Sequence, residues 1–181
     1  MSLRLTGGLA RGRILREPVP KGVRPTSARV REALFSLVGQ DLAGQRVLDA
    51  FGGSGLLGLE AWSRGAEVTV FERDRAALRG IHRRGAELGA DWTVRAGDVL
   101  RGAAGLDPFD GILADPPYGT GPEEVLARLA PRATRWLVLE TDRREEAPTR
   151  AGLLHLDRVR TYGGTRLWVY RAGVAPGEAA P

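Results

Sequence analysis

The clearest fold signal in the chain lies in residues 46–72, RVLDAFGGSGLLGLEAWSRGAEVTVFE. The apolar run over 46–50 predicts a buried strand, and the glycine-rich turn after it opens a helical pattern. A second apolar run over 67–72 predicts another strand. A strand, a helix and a strand in this order form a βαβ unit, which requires parallel pairing. The chain is therefore expected to be an α/β protein with helices on both faces of its sheet.

The alternation of strand and helix patterns continues toward the carboxyl end. The last two apolar runs flank Gly163 and Gly164, a pair typical of a tight turn between antiparallel strands. The sheet is therefore expected to be mixed. The further predicted elements are a helix over 74–88, strands over 92–96 and 109–114, a helix after Pro122, and strands over 136–141, 153–162 and 165–171.

The segment before residue 46 differs in charge and in pattern. LRLTGG and GRILRE predict a small hairpin, and RPTSARVREALFSLV predicts a helix capped by Thr26 or Ser27. The net charge of the chain is +5. Eight basic and two acidic residues fall within 1–32, so this segment carries the positive excess and the remainder is nearly neutral. Such an arm is typical of polyanion binding, although a solvated tail explains the charge alone equally well.

Composition excludes several classes of protein. With 181 residues the chain fits one domain, and no apolar run approaches the length of a membrane span. Arginines interrupt MSLRLTGGLARGR, where an export signal would need apolar residues, so we expect a cytoplasmic protein. The absence of cysteine excludes disulfides, thiol catalysis and thiolate zinc sites, and with two histidines we expect no metal centre.

The turn after the first strand carries a nucleotide-binding signature. Gly53, Gly55 and Gly58 fit G-x-G-x-x-G between a strand and a helix, and Glu72 follows at the end of the next strand. The glycines allow a ligand to approach the backbone, and Glu72 can accept hydrogen bonds from ribose hydroxyls. We therefore predict a ribose-bearing cofactor and assign Arg73, beside Glu72, to the same site.

Two further acids favour S-adenosylmethionine (AdoMet) over a dinucleotide. Asp49 ends the first strand, where a carboxylate would repel a pyrophosphate but attract the ammonium and sulfonium groups of a methionyl moiety. Asp98 ends the third strand and can accept from an adenine amino group, with Val99 packing on the ring. The alternative for Asp98 is a purely structural cap of the following short helix.

The fourth strand ends in Asp115-Pro116-Pro117-Tyr118, at the sheet edge where α/β proteins bind ligands. Neither proline has an N–H group, so the segment offers carbonyl acceptors beside the Asp115 carboxylate. Such a pocket suits an exocyclic amine of a nucleobase, and Tyr118 can stack on the base. A rigid turn without chemistry is the alternative.

These motifs together resemble a known family. DPPY after the fourth strand resembles motif IV of class I methyltransferases that act on amino groups of nucleic acids, and LDAFGGSGLLGLEAWSRGA resembles their cofactor motif. With RLTGGLARGRIL, RPTSARVREALF and YGGTRLWVY, the chain is similar over residues 3 to about 171 to the RsmD family of bacterial small-subunit rRNA guanine-N2 methyltransferases. The resemblance implies a class I methyltransferase fold: a Rossmann-like, mixed, seven-stranded sheet, parallel except for an antiparallel C-terminal strand, and preceded by the basic hairpin.

The resemblance also implies the ligands. AdoMet is the expected donor, and a guanine of 16S rRNA, in the 30S subunit or an assembly intermediate, is the expected acceptor. The implied residues fall into three groups: Asp49, Gly53, Gly55, Glu72, Arg73, Asp98 and Val99 for the cofactor, Asp115, Pro116, Pro117 and Tyr118 for catalysis, and Arg4, Arg11, Arg13, Arg24, Thr26 and Arg29 for RNA.

Accordingly, we divide the chain into a basic RNA-binding arm over 1–25, a methyltransferase domain over 26–171 and a disordered tail over 172–181, and expect a monomer without metal or membrane contacts. Three other interpretations stay open. DPPY alone also fits a DNA or RNA adenine-N6 methyltransferase. The glycine turn fits a nicotinamide-dependent reductase, and the basic arm fits a non-catalytic RNA-binding assembly module.

Overall fold

The computed structural model describes residues 3–16 and 25–173, and within them one mixed sheet runs through the domain. This arrangement confirms the predicted α/β class. The strands are β1 (Arg46–Asp49), β2 (Glu67–Glu72), β3 (Trp92–Ala96), β4 (Phe109–Ala114), β5 (Ala133–Asp142), β6 (Arg150–Ala151), β7 (Leu154–Tyr162) and β8 (Thr165–Ala172). The helices are α1 (Ala28–Val38), α2 (Leu56–Ser63), α3 (Arg75–Leu88), α4 (Val99–Gly102) and α5 (Pro122–Leu129), with short 3₁₀ turns over Ala103–Gly105 and Ala130–Arg132.

The strand order is β3-β2-β1-β4-β5-β8-β7-β6. Strands β1 to β5 pair in parallel, whereas β8 is antiparallel to both β5 and β7. The described sheet has eight strands rather than the seven expected, because β6 adds a two-residue strand that is too short for a periodic signal. Chain order reverses between β1 and β4, and their carboxyl ends open the crevice where α/β sheets bind ligands.

Both faces of the sheet are covered by helices, which explains the continuous apolar runs of the central strands. Leu48 and Ile112 belong to a buried cluster that includes the inner face of α5. Their neighbours Val47 and Leu113 belong to the cluster that packs against α1, α2 and α3 on the opposite face. Alternating residues of β1 and β4 therefore enter different layers, so the central strands are fixed in register.

Residues 3–15 form an antiparallel hairpin that is docked on the domain. Arg4 and Ile14 form a bridge, and the Leu5 N–H donates to the Arg13 carbonyl at 3.0 Å. The buried side chains of the hairpin pack against the outer side of α2, while its arginines stay exposed. The hairpin thus contributes apolar core as well as charge. The packed residues are Leu3, Leu5, Ala10 and Leu15 of the hairpin with Leu56 and Leu59 of α2.

A buried carboxylate on α2 ties the hairpin and α1 to the domain. Glu60 is fully buried and accepts from the Arg31 Nε at 3.0 Å and from the Thr6 N–H at 2.9 Å. It is also paired with Arg64, four residues later at the carboxyl-terminal cap of α2. Arg31 in turn donates to the carbonyl of Thr26 at 2.6 Å. The cluster therefore ties the segment at the start of α1 to α2 and to the hairpin.

Replacing Glu60 by Ala should destabilise the domain by about 3–5 kcal/mol, because Arg31 and Arg64 would stay buried without a counter-charge. Chemical denaturation of the full chain measures this loss. Glu32→Ala is the matched control, since Glu32 is exposed on α1 and its loss should cost within about 0.5 kcal/mol. Equal free energies of unfolding for the two variants would contradict the role of the cluster.

Candidate active site

A cavity of about 740 Å³ opens at the carboxyl ends of the parallel strands. This volume lies within the range of small-molecule and cofactor sites. Most of the predicted site residues line it, and they come from the turns after β1, β2, β3 and β4. The predicted residues on its wall are Thr26, Gly53, Glu72, Arg73, Asp98, Val99, Asp115, Pro116, Pro117 and Tyr118.

Glu72 shapes the glycine turn as well as facing the cavity. Its Oε2 accepts from the Gly53 N–H at 2.6 Å, and its Oε1 accepts from the Asp74 N–H at 2.7 Å. Gly53 has φ +51°, a left-handed conformation that favours glycine. The carboxylate therefore joins the turn after β1 to the start of α3 and keeps its remaining lone pairs for a ligand.

Two residues of the predicted cofactor set, Asp49 and Gly55, are not on the cavity wall, and their contact with a cofactor stays a prediction. Asp49 is 1% exposed, and its Oδ2 accepts from the Gly58 N–H at 2.9 Å. A Cβ at Gly58 would lie 3.1 Å from that oxygen, so this glycine allows α2 to pack tightly on Asp49. Gly55 has φ +73° and begins α2 facing Ile81 and Trp92. Both residues support the turn from behind.

Burial disfavours the ionised form of Asp49. Burial raises its pKa to about 7, and the negative charge of Asp115 adds to the shift, while the Gly58 N–H opposes it. An acid with such a pKa changes its protonation near neutral pH. The Gly58 N–H and the charge of Asp115 thus act on the pKa of Asp49 in opposite directions.

The wall beyond β3 combines an acid with apolar groups. The Asp98 Oδ1 accepts from the Leu100 N–H at 3.0 Å, so Asp98 caps α4 as the alternative interpretation proposed. Its Oδ2 lies 3.8 Å from nitrogens of Arg73 and Arg101. Val99 and Phe71 supply buried apolar surface beside it. Capping thus uses one carboxylate oxygen and leaves the other at the rim.

The segment after β4 is open to solvent on one side. Asp115 and Pro116 are half-buried, Pro117 is exposed, and the Tyr118 ring is 88% exposed. The two prolines contribute only carbonyls, as the sequence predicts. An exposed aromatic ring next to an acceptor-rich wall is available for stacking on a planar ligand.

A second carboxylate, which the motif analysis missed, lies beside Asp115. Glu140 is on β5, and the Thr26 hydroxyl lies 3.2 Å from its Oε2 and 3.5 Å from the Asp115 Oδ2. Burial raises the pKa of Asp115 to about 6. Burial and the charge of Asp115 raise the pKa of Glu140 to about 8. Thr26, assigned from sequence to RNA contact, is 8% exposed and bridges the two acids.

The signal for Glu140 was present, since the residue falls near the carboxyl end of a predicted strand. The β7–β8 turn forms another part of the cavity wall, and no local sequence pattern predicted this. The turn reaches the cavity only because β8 pairs with β5. The predicted RNA residues Arg4, Arg11, Arg13 and Arg29 are exposed and away from the cavity wall, and Arg24 lies outside the described residues. Other wall residues that the sequence analysis missed are Phe51, Phe71, Thr141, Tyr162, Gly163 and Thr165.

Within residues 3–16 and 25–173, no group of His, Cys, Asp and Glu side chains is arranged to hold a metal ion. In the same ranges, no helix has the length and apolar character needed to cross a membrane.

Comparison with known proteins identifies the family. The family described as Conserved hypothetical protein 95 matches residues 3–171. YlbH of Bacillus subtilis strain 168 is 34% identical, over 93% of this chain and 98% of its own length. The Escherichia coli K12 ribosomal RNA small subunit methyltransferase D is 38% identical over 66% of this chain and 62% of its own. This chain belongs to the RsmD family of rRNA methyltransferases. The predicted resemblance is thereby confirmed.

Solved structures agree with this placement. The yhhF protein of E. coli has a TM-score of 0.83 and 33% identity, covering 95% of this chain and 98% of its own. The Thermus thermophilus 16S rRNA N2 G1207 methyltransferase, solved with AdoMet and guanosine, has a TM-score of 0.74 and covers 96% of this chain and 50% of its own. At 19% identity the latter likeness shows the fold alone. The class I methyltransferase fold is confirmed.

The buried carboxylate of Glu140 should make stability depend on pH. Its pKa is about 8 in the folded chain against an ordinary value of 4.5, so the folded state holds the proton more tightly. The contribution of Glu140 to stability is therefore complete below about pH 4.5 and is lost as pH rises through about 8. Glu140→Gln removes this loss, and thermal unfolding should show a Tm raised by about 2–6 °C near pH 8.

Near pH 5 the same substitution should change the Tm much less. Glu124→Gln, on the exposed side of α5, is the control and should follow the unaltered chain at both pH values. If the Tm of Glu140→Gln fell with rising pH as steeply as that of the unaltered chain, the burial of this acid would be excluded as the cause.

Proposed function

We propose that this chain transfers a methyl group from AdoMet to the exocyclic N2 amine of a guanine in 16S rRNA. The observation that carries the proposal is the pair of carboxyl groups, Asp115 and Glu140, which line the cavity together with Pro116 and share the Thr26 hydroxyl. Membership of the RsmD family supports rRNA as the substrate.

The residues that line the cavity would suit a cofactor that combines a ribose, a planar base and a positive charge. Glu72 presents a carboxylate oxygen near the turn and would accept from ribose hydroxyls. Val99 and Phe71 would contact the adenine ring, with the Asp98 Oδ2, which lies 3.8 Å from Arg73 and Arg101, beside them. AdoMet supplies an activated methyl group on a positively charged sulfur. Asp115 and Glu72 give the cavity the complementary sign of charge.

In the proposed reaction, Asp115 acts chiefly as an orienting acceptor. Asp115 would accept a hydrogen bond from one N2 hydrogen, and the Pro116 carbonyl would accept a hydrogen bond from the other. This arrangement turns the amine lone pair toward the methyl donor. The proton released after direct in-line transfer would pass to Asp115 or to water. With a pKa of about 6, Asp115 is largely ionised near neutral pH and able to accept it. Tyr118 would stack on a base swung out of its RNA context.

The exposed arginines of the hairpin would hold the RNA. Arg4, Arg11 and Arg13 are exposed on a docked hairpin, and Arg29 is exposed on α1, three residues after Thr26 of the cavity wall. Guanidinium groups suit phosphates because their fork donates two parallel hydrogen bonds. As part of the proposal, the chain acts as a monomer in the cytoplasm on a 30S subunit or an assembly intermediate.

Replacing Asp115 by Ala should reduce methyl transfer at least about 10³-fold, because the amine loses its orienting acceptor. The measurement is incorporation of labelled methyl groups into 30S particles from cells that lack this protein. Calorimetry should show AdoMet affinity within several-fold of the unaltered chain. Asp107→Ala, at an exposed loop position, is the control and should keep full activity.

Unchanged turnover of Asp115→Ala would refute the catalytic assignment. Binding of NADH in place of AdoMet would instead favour a nicotinamide-dependent reductase. RNA binding without any methyl incorporation would favour a non-catalytic assembly module, and methyl groups found on adenine would favour an adenine-N6 methyltransferase.

The double variant Arg11→Glu with Arg13→Glu should weaken binding to 30S particles and flatten its salt dependence. Each lost phosphate contact should lower the slope of log K against log salt by about 0.7–0.9. Charge reversal is preferable to deletion, because the hairpin also buries apolar core. Arg79→Glu with Arg128→Glu changes the charge equally on exposed helix positions and should leave the slope unchanged. Equal effects of the two double variants would indicate net charge alone.

A further inference from the structure

Sheet register brings Glu140 beside the proposed catalytic acid. Ala114 of β4 pairs with Leu139 of β5, so Asp115 and Glu140 follow at equivalent positions of neighbouring parallel strands. Both acids line the cavity, and both lie within hydrogen-bond distance of one hydroxyl, that of Thr26. The register of the sheet therefore fixes the position of both acids in the site, although only Asp115 belongs to the DPPY motif.

The pair has more acceptors than donors. The Thr26 hydroxyl carries one hydrogen, so at any moment it can donate to only one of the two carboxylates. Thr165 supplies a further hydroxyl to Glu140 from the neighbouring strand β8. The two carboxyl groups and the Pro116 carbonyl together offer more lone pairs than these two hydroxyls can satisfy, whereas the Pro117 carbonyl already accepts from the Thr120 N–H at 3.2 Å. The site is thus completed by a ligand that presents adjacent N–H groups.

Guanine and adenine differ on this point. The Watson–Crick edge of guanine carries N1–H next to the N2 amine, so two neighbouring nitrogens donate. Adenine carries its N6 amine next to N1, which is an acceptor in the neutral base. An ionised carboxylate beside the reacting amine therefore gains a hydrogen bond from guanine but faces a lone pair of adenine. A protonated carboxyl could donate to that lone pair, so the discrimination requires the ionised form of Glu140, which is favoured above about pH 8. Leaving such a buried polar group unpaired is a strong basis for discrimination.

We propose that Glu140 is a specificity-determining residue that accepts the N1–H of the target guanine while Asp115 receives its N2 amine. This inference rests on the proposed function and adds the means by which the base is chosen. Thr26 positions the two carboxylates relative to each other, and the register of β4 and β5 sets their spacing.

The test varies the base at a single position. After the methylated nucleotide has been mapped, 16S rRNA is ligated with either guanosine or 2-aminoadenosine at that position and reconstituted into 30S particles. The analogue keeps the N2 amine but has an acceptor at N1. Above about pH 8, where Glu140 is ionised, the unaltered chain should prefer guanosine in kcat/KM by about 10²–10⁴-fold, as expected for a site that pairs a substrate N–H.

Glu140→Gln should narrow that preference to within about tenfold. The glutamine amide can donate to the N1 of the analogue, so kcat/KM for guanosine should fall about 10²-fold while that for 2-aminoadenosine is kept or raised. AdoMet affinity should stay within several-fold. Glu140→Asp keeps a carboxylate and should keep the preference at a reduced rate. Glu124→Gln, on α5, should match the unaltered chain on both substrates.

An unchanged preference in Glu140→Gln, or an equal loss on both substrates, would overturn the assignment, because a merely structural role lowers both rates together. Loss of the preference in Glu140→Asp as well would overturn it too. A failure of the proposed function gives a different result: the unaltered chain would then transfer no methyl group to particles that carry guanosine.

Discussion

The buried carboxylate of Glu60 is the interaction on which the arrangement of this protein depends. It pairs with Arg31 of α1 and with Arg64, which follows α2, and it accepts from Thr6 of the hairpin. These partners come from three separate segments, and water cannot replace any of them in the interior. Through Arg31, which also donates to the carbonyl of Thr26, the cluster extends to the edge of the cavity. The Glu60 carboxylate thus connects the packing of the hairpin and α1 to the position of Thr26 at the cavity.

The cavity concentrates negative charge where burial makes it expensive. Asp49, Asp115 and Glu140 all have raised pKa values, with burial as the main cause and mutual repulsion adding to it for Asp49 and Glu140. Such a cluster lowers the stability of the free chain and suits a cationic or donor-rich ligand. The site is therefore best understood as a region that gives up stability for recognition.

Local patterns predicted most of the fold because each has a local physical cause. The parallel strands are apolar runs bounded by turns. The side chains of Ser27 and Asp74 cap α1 and α3 by accepting from the N–H group three residues later. The two-residue β6 escaped, since it forms only through pairing with β7. The burial of Asp49 also escaped, because its sequence position cannot tell that Gly58 lets α2 pack over it.

Sequence alone was sufficient for the βαβ architecture, the glycine turn, Glu72 and the DPPY segment, since their signals lie within one strand and the turn that follows it. Tertiary structure was needed to bring Asp115 and Glu140 to the hydroxyl of Thr26. In sequence these two acids lie 89 and 114 residues after Thr26. Contacts over such distances depend on strand order and register, and these are properties of the packed sheet rather than of any short segment.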